Sequence, residues 1–370
     1  MVEAIEDLGR IVREANIRAR KSSISRRKTR DPSRPAAKWV ASAPIGKTTG
    51  TALSLVLSTH GCSHALSDAG GCTMCSYLLD GTSGEVSADN LLSQFDNGME
   101  GLAGEPAPLS VKIYTSGSFL DESEVPLDAR NSILDRLGGD ERVREVVLES
   151  RPEYVTDSAL ESIAQRLQDR HTEIGMGLES SNDFVRRMCI NKGFRTEDFT
   201  SAVNRALEHD IGTRAYVLVK PPFMTERAAL EDAVQTISDA VDMKVTTVSV
   251  NPVNIQRYTL VEHLWRRGEY RPPWLWTLIE VLRRSRKNLP SSVRILCDPV
   301  AGGKSRGTHN CGECDLALVE AIRGYSLTQN IERLQVEECD CLPLWKHTLA
   351  HEGPSMFVHE DIARGLLGNA

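Results

Sequence analysis

Apolar residues in this chain come in short runs, and the runs are separated by longer stretches with helical spacing. The short runs cover residues 52–58, 110–115, 145–149, 174–178, 215–219 and 246–250, with another near 293–297. Each is about a strand long and rich in Val, Leu and Ile. Between them, Leu160, Ile163, Ala164 and Leu167 fall on one helical face after the capping residues Thr156 and Asp157. Phe199, Val203, Ala206 and Leu207 do the same after Thr196. At the start, Ile5, Leu8, Val12 and Ala15 predict a short amphipathic helix over 4–20. Strands alternating with helices predict parallel βαβ units with right-handed crossovers. Six or seven such units curl into an α/β fold, a full or partial (β/α) barrel. In such barrels the chemistry sits at the C-terminal ends of the strands.

Composition changes this picture little. The chain has 370 residues, 40% of them hydrophobic, which is enough for a packed core. No apolar run approaches the ~20 residues that span a bilayer, and no signal peptide is apparent, so the expected location is the cytoplasm. Charge is more informative. The net charge is −7, yet residues 1–47 hold 12 Lys and Arg against 5 Asp and Glu. Arg20, Arg26, Arg27, Lys28, Arg30, Arg34 and Lys38 form a basic stretch broken by Pro32 and Pro35. A basic arm on an acidic body is a footprint for nucleic acid; a solvated tail is the competing account. The expected division is a basic extension over 1–47, a barrel over 48–290 and a Cys-rich region over 291–370.

The segment 59–81, THGCSHALSDAGGCTMCSYLLDG, follows the first predicted strand. It carries Cys62, Cys72 and Cys75, spaced C-x9-C-x2-C, with Gly61, Gly70 and Gly71 beside them. Iron–sulfur clusters are held by Cys thiolates, four where the site is closed. Three from one loop would hold a [4Fe–4S] cluster and leave one iron open. Zinc on these three with His60 or His64 is the alternative. The other strand ends carry Gly117 between Ser116 and Ser118, then Glu149, Ser150 and Arg151, then Glu179, Ser180 and Ser181. The fifth strand carries Arg214, with Lys220 at its end, and the sixth ends near Asn251 and Asn254. Two carboxylates and several hydroxyls on one rim suit an amino group and ribose hydroxyls.

These residues resemble the radical S-adenosylmethionine (SAM) superfamily, in the branch of the tRNA-modifying catalytic subunit of the elongator complex. The resemblance rests on the cysteine loop, the Gly/Ser turn, ESRPE at 149–153 and GLES at 177–180. It implies that the open iron binds S-adenosyl-L-methionine, whose reductive cleavage yields a 5′-deoxyadenosyl radical. The usual C-x3-C-x2-C spacing is widened here to nine intervening residues. Met74 stands where the superfamily usually has an aromatic, and the Gly/Ser turn lacks its acidic residue, which leaves Glu149 or Glu179 to take its part. Gly117, Ser118, Glu149, Glu179 and Arg214 are the expected cofactor-binding residues; no catalytic side chain is assigned beyond the cluster. GGCTMCSY, GTHNCGECD and ECDC together resemble a narrower family, the archaeal radical enzymes of archaeosine biosynthesis (RaSEA). That resemblance covers about residues 35–350. It implies an archaeal lyase that cleaves the lysine C–N bond of a lysine adduct of 7-cyano-7-deazaguanosine in tRNA. The implied partners are the lysine-adding, transglycosylase-like archaeosine synthase subunit and an electron donor. A related radical enzyme with another tRNA base, and a non-catalytic metal-bearing RNA-binding module, are the rival classes.

Near the C-terminus, Cys311, Cys314, Cys339 and Cys341 form C-x2-C and C-x-C pairs. They suit a structural zinc, with His309 or Cys297 as substitute ligands, or an auxiliary cluster. Cys189 reads as a core thiol. Trp265, Trp274 and Trp276 either stack on a base or pack in the core. Arg266, Arg267, Arg271, Arg283, Arg284, Arg286 and Lys287 either meet phosphates or form a solvated face.

Overall fold

The computed structural model of the protein describes residues 2–27 and 29–353, except for the side chains of 2–8 and 22–24. One eight-stranded sheet organises it. The strands are β1 (Ala37–Ile45), β2 (Thr48–Val56), β3 (Leu109–Tyr114), β4 (Val143–Glu149), β5 (His171–Glu179), β6 (Gly212–Val219), β7 (Thr247–Pro252) and β8 (Arg294–Leu296). They lie side by side in sequence order. β1 and β2 form an antiparallel hairpin, and every later neighbour pair is parallel. The sheet curls into a partial barrel, so the expected fold class holds. Each of the seven expected strands falls on one of β2–β8. The hairpin strand β1 went unpredicted, because its first six positions are exposed and carry no apolar alternation. The expected boundary at residue 47 falls in the turn of that hairpin.

Strand residues alternate between two environments, as a pleat with period two requires. Leu53, Leu55 and Leu57 of the β2 segment, Val111 and Ile113 of β3, Val146 and Leu148 of β4, and Val248 and Val250 of β7 face outward into one continuous core. Helices 88–99, 127–139, 157–167, 196–208, 226–242 and 275–288 cover that outer face. Their starts are capped where the chain supplies a hydroxyl: Thr156 accepts from Ala159 N, and Thr225 from Ala228 N. Thr196 instead becomes the first helical residue, with Asp198 accepting from Arg195 N at 2.8 Å. The inward positions are largely polar, and they line the lumen.

The N-terminal helix runs Val2–Ile24 and buries Val12 and Ala15 against Val185, Ile190, Leu260 and Val261. The side chains of Ile5 and Leu8, and Lys28, lie outside the described residues.

Candidate functional site

The lumen has a charged floor and an open mouth. At the floor, Glu173 accepts from Arg214 Nε and Nη2 at 2.9 and 2.7 Å and from Thr247 Oγ1 at 2.5 Å. Arg294 Nη2 reaches Glu145 at 2.9 Å, and its Nη1 donates to Pro44 O at 3.2 Å. Burial opposes the Glu173 charge, but Arg214 and Arg294 hold its carboxyl well below the usual range. Burial also brings the Lys112 ammonium down to about 8. Arg214 was expected among the cofactor-binding residues. It sits early in β6, so the strand carries it to the floor, where its guanidinium is committed to Glu173.

At the mouth, a cavity of about 340 Å³ is lined by Met74, Cys75, Tyr77, Tyr114, Glu149, Glu179, Tyr216, Asn251 and Asn254, among others. Glu179 has φ +63 and lies at a register shift between Gly177 and Glu179. Such a bulge re-aims a side chain next to a site. Its carboxylate meets Lys192 Nζ at 2.7 Å. A Cβ on Gly177 would lie 2.3 Å from Lys192 Nζ, and one on Gly175 would lie 2.5 Å from Tyr216 Oη. Both glycines leave space that the inward-facing Lys192 and Tyr216 side chains occupy. Burial, with Glu124 and Glu179 nearby and Lys192 opposing, pushes the Glu149 carboxyl up to about 8.

The cysteine loop arches over this cavity and is strapped from two sides. From the N-terminal helix, Asn16 Nδ2 donates to Gly70 O and Gly71 O at 2.9 and 2.7 Å. Arg20, only 3% exposed, donates to Gly70 O at 3.2 Å and Cys72 O at 3.1 Å. Arg27 donates to the carbonyls of His60 and Thr82. From the segment after β5, Asn191 Nδ2 donates to Ala69 O and Gly71 O, both at 2.7 Å, and Thr73 Oγ1 donates to Cys189 O at 2.7 Å. Gly70 and Gly71 have φ of +74 and +71, which glycine adopts without strain. The basic stretch expected to meet nucleic acid is thus partly turned inward, with Arg20 and Arg27 holding the loop.

Burial raises the Cys72 thiol, but Lys192, His64 and Arg151 outweigh it and bring it down to about 7. Burial raises the Cys62 thiol and pushes Cys75 up to about 12.

Gly117 and Ser118 lie behind the loop rather than on the cavity wall. Their backbone N–H groups donate to Glu124, at 3.1 Å to Oε1 and 2.7 Å to Oε2. Thr59 Oγ1 donates to the same carboxylate at 2.5 Å. A Cβ on Gly117 would lie 2.7 Å from the Cα of Cys62, so only glycine lets this turn abut the first cysteine. Glu124 was missed in the sequence because it stands seven residues beyond the turn it satisfies. Ser180 and Ser181 also face away from the cavity: their hydroxyls donate to Asp232 at 2.9 Å and Asp239 at 2.6 Å.

The second cysteine set converges. Sγ atoms of Cys311, Cys314, Cys339 and Cys341 all lie within 4.8 Å of one another. Cys311–Cys314, Cys311–Cys339 and Cys314–Cys341 are 3.9, 3.6 and 3.7 Å apart. A tetrahedral ion with ~2.3 Å metal–sulfur bonds has edges of ~3.8 Å, so these residues fit one metal ion. Trp276 Nε1 donates to Cys341 Sγ at 3.2 Å and Asn310 Nδ2 to Cys314 Sγ at 3.3 Å. Backbone N–H groups of Cys314 and Glu313 help bring the Cys311 thiol down to about 7. The substitutes His309 and Cys297 do not join this group; His309 Nδ1 lies 2.8 Å from Gly307 O, and Cys297 is buried at the end of β8. Cys189 is buried, as a core thiol should be.

Of the two readings of the clustered tryptophans, packing holds for Trp274 and Trp276. Trp274 and Trp276 are buried, and Arg271 lies over Trp274 at 4.0 Å. Arg306 lies over Trp265 at 5.0 Å. Of the later arginines, Arg286 donates to Val293 O at 2.8 Å and Leu289 O at 2.7 Å, and Arg284 pairs with Glu231 at 2.6 Å.

The structure is thus an α/β protein, a partial (β/α) barrel with a three-cysteine loop over the C-terminal ends of its strands, as the resemblance of the sequence implied. No family model matches the chain. It is 40% identical over 318 residues to archaeosine synthase subunit beta of Methanosarcina acetivorans, covering 86% of this chain and 90% of that protein. It is 35% identical over 310 residues to the protein of the same name from Thermococcus kodakarensis, covering 84% of this chain and 95% of the relative. The chain belongs to the family of archaeosine synthase beta subunits. Among solved structures, Methanocaldococcus infernus Elp3 with an N-terminal deletion superposes with a TM-score of 0.46 at 17% identity, over 63% of this chain and 59% of that one; the family assignment does not rest on that likeness.

Proposed function

We propose that this protein is the radical SAM lyase of archaeosine formation in tRNA. It cleaves the lysine C–N bond of a lysine adduct of 7-cyano-7-deazaguanosine and leaves the formamidine. It works with the lysine-adding archaeosine synthase subunit and a one-electron donor. The observation that carries this reading is the placement of Cys75 and Met74 on the same cavity wall as Glu149 and Glu179.

Cys62, Cys72 and Cys75 would hold a [4Fe–4S] cluster. The residues fit it: the loop is strapped by hydrogen bonds, and Arg20, Arg151 and Lys192 place positive charge against the burial of the thiols, enough to lower Cys72. Cluster and S-adenosyl-L-methionine, when bound, supply a carbon-centred radical able to take hydrogen from an unactivated C–H, which no side chain can deprotonate at neutral pH. Glu179 is already paired with Lys192. Glu149, on the cavity wall with Cys75, would accept a hydrogen bond from the methionine amine, and Asn251 and Asn254 offer hydrogen bonds to ribose or substrate. Cys311, Cys314, Cys339 and Cys341 would hold a structural zinc that fixes the C-terminal segment on helix 275–288.

The test is anaerobic reconstitution with iron and sulfide, followed by incubation with S-adenosyl-L-methionine, reductant and lysine-modified tRNA. Mass spectrometry should find 5′-deoxyadenosine and archaeosine. Unchanged lysine adduct beside ample 5′-deoxyadenosine would overturn the substrate assignment.

A further inference from the structure

Trp39 is the one tryptophan of five that the fold leaves open. It is 50% exposed, whereas Trp274, Trp276 and Trp345 are 5–7% exposed and Trp265 lies under Arg306. Trp39 stands on β1, opposite Ser54 of β2, and lines the cavity at the lateral edge of the sheet. Its ring is parallel to that of Tyr114, at an interplanar angle of 5° with centroids 6.4 Å apart. One face of the indole is thus oriented by Tyr114, and half of the side chain is in water.

The sheet edges explain why a ligand passes this residue. β1 and β8 are the two ends of the sheet and share no backbone ladder. Near the floor the gap is bridged by Arg294 on Pro44 O. Toward the mouth it is flanked by Trp39 on one side and by Asp298 and Val300 on the other, and Val300 is 60% exposed. The cavity inside is about 340 Å³, room for about one small ligand. A cofactor that takes up most of this volume leaves no room beside it for a fused aromatic base. The base must stop at the mouth, where the exposed apolar surface is.

We propose that Trp39 is the platform on which the planar base of the substrate nucleoside stacks, entering at the cavity mouth between β1 and the segment after β8 while its side chain reaches inward. This rests on the reading of the cavity as a radical site acting on a modified nucleoside in RNA. Stacking on an aromatic side chain suits any planar base, so Trp39 sets affinity and the groups around it set identity.

The experiment compares W39A and W39F with the wild-type protein, binding lysine-modified tRNA and turning it over. Trp39 is an exposed edge residue, and W39F keeps an aromatic face if W39A lowers stability. W39A should weaken tRNA binding and raise KM for tRNA about 5- to 150-fold, the range for losing one base stack. W39F should stay near wild type. KM for S-adenosyl-L-methionine should not move. Adding modified tRNA should quench wild-type tryptophan fluorescence more than W39F fluorescence. Unchanged tRNA affinity in W39A, or a selective loss of affinity for S-adenosyl-L-methionine, would overturn the proposal. If the wild-type protein binds tRNA but forms no 5′-deoxyadenosine, the radical reading fails, and the affinity ratio still decides the stacking.

Discussion

The two cysteine sets are built on opposite plans. Four thiols near the C-terminus close on one another at tetrahedral-edge spacing, and N–H groups of Trp276 and Asn310 point at their sulfurs. The three thiols of the loop form no such compact group, and the cations Arg20, Arg151 and Lys192 stand around them beside an open cavity. A closed set satisfies its metal and contributes stability. An incomplete set leaves a coordination position for a ligand. On the proposed reading, completeness of the ligand shell, more than the number of cysteines, separates scaffold from reactive centre.

The largest break comes from replacing Cys62, Cys72 and Cys75 together with alanine. Iron content and 5′-deoxyadenosine formation should both vanish, while the thermal midpoint changes little; retention of either chemical signal would erase the contrast. Cys341→Ser should do the reverse. It should release the C-terminal metal, measured by elemental analysis, and lower stability by several kcal/mol, since structural zinc contributes about 10–16 kcal/mol in small domains.

A third test uses pH. The Glu149 carboxyl, raised to about 8 from an ordinary 4.5, is favoured in its neutral form by the fold. Its contribution is fully present below about pH 4.5 and is lost as pH rises toward 8. Denaturant titrations of the cofactor-free protein should show stability falling across that window, and Glu149→Gln should flatten the slope. Arg20→Ala removes a charged donor from two loop carbonyls and should cost about 1.5–3 kcal/mol, with faster loss of iron in air. Arg284→Ala removes an exposed pair with Glu231 and should change stability by less than about 1 kcal/mol. A larger loss would show that the basic helix face does more than sit in solvent.

Much of the fold was legible because outward strand positions are apolar in β2–β8 and helices with a clear face separate the strands. β1 was not, since an exposed hairpin strand carries no such signature. The position of the cysteine loop was legible because it directly follows the first predicted strand, now β2. Side-chain direction was not. Arg214 differs from Glu149 only in how far along its strand it stands, and that distance separates floor from mouth. Gly117 and Ser118 look like a ligand turn until Glu124 is seen accepting their N–H groups. The basic N-terminal stretch looked like a free arm, because nothing local shows that Arg20 is buried against loop carbonyls 50 residues away. Trp39 lacks the clustering that drew attention to Trp265, Trp274 and Trp276.

Arg294 ties the first strand of the sheet to the last through a single carbonyl near its base. The sheet is therefore a cupped hand clasped at the wrist, and a guest arriving at its fingertips has no backbone ladder between the two end strands to break.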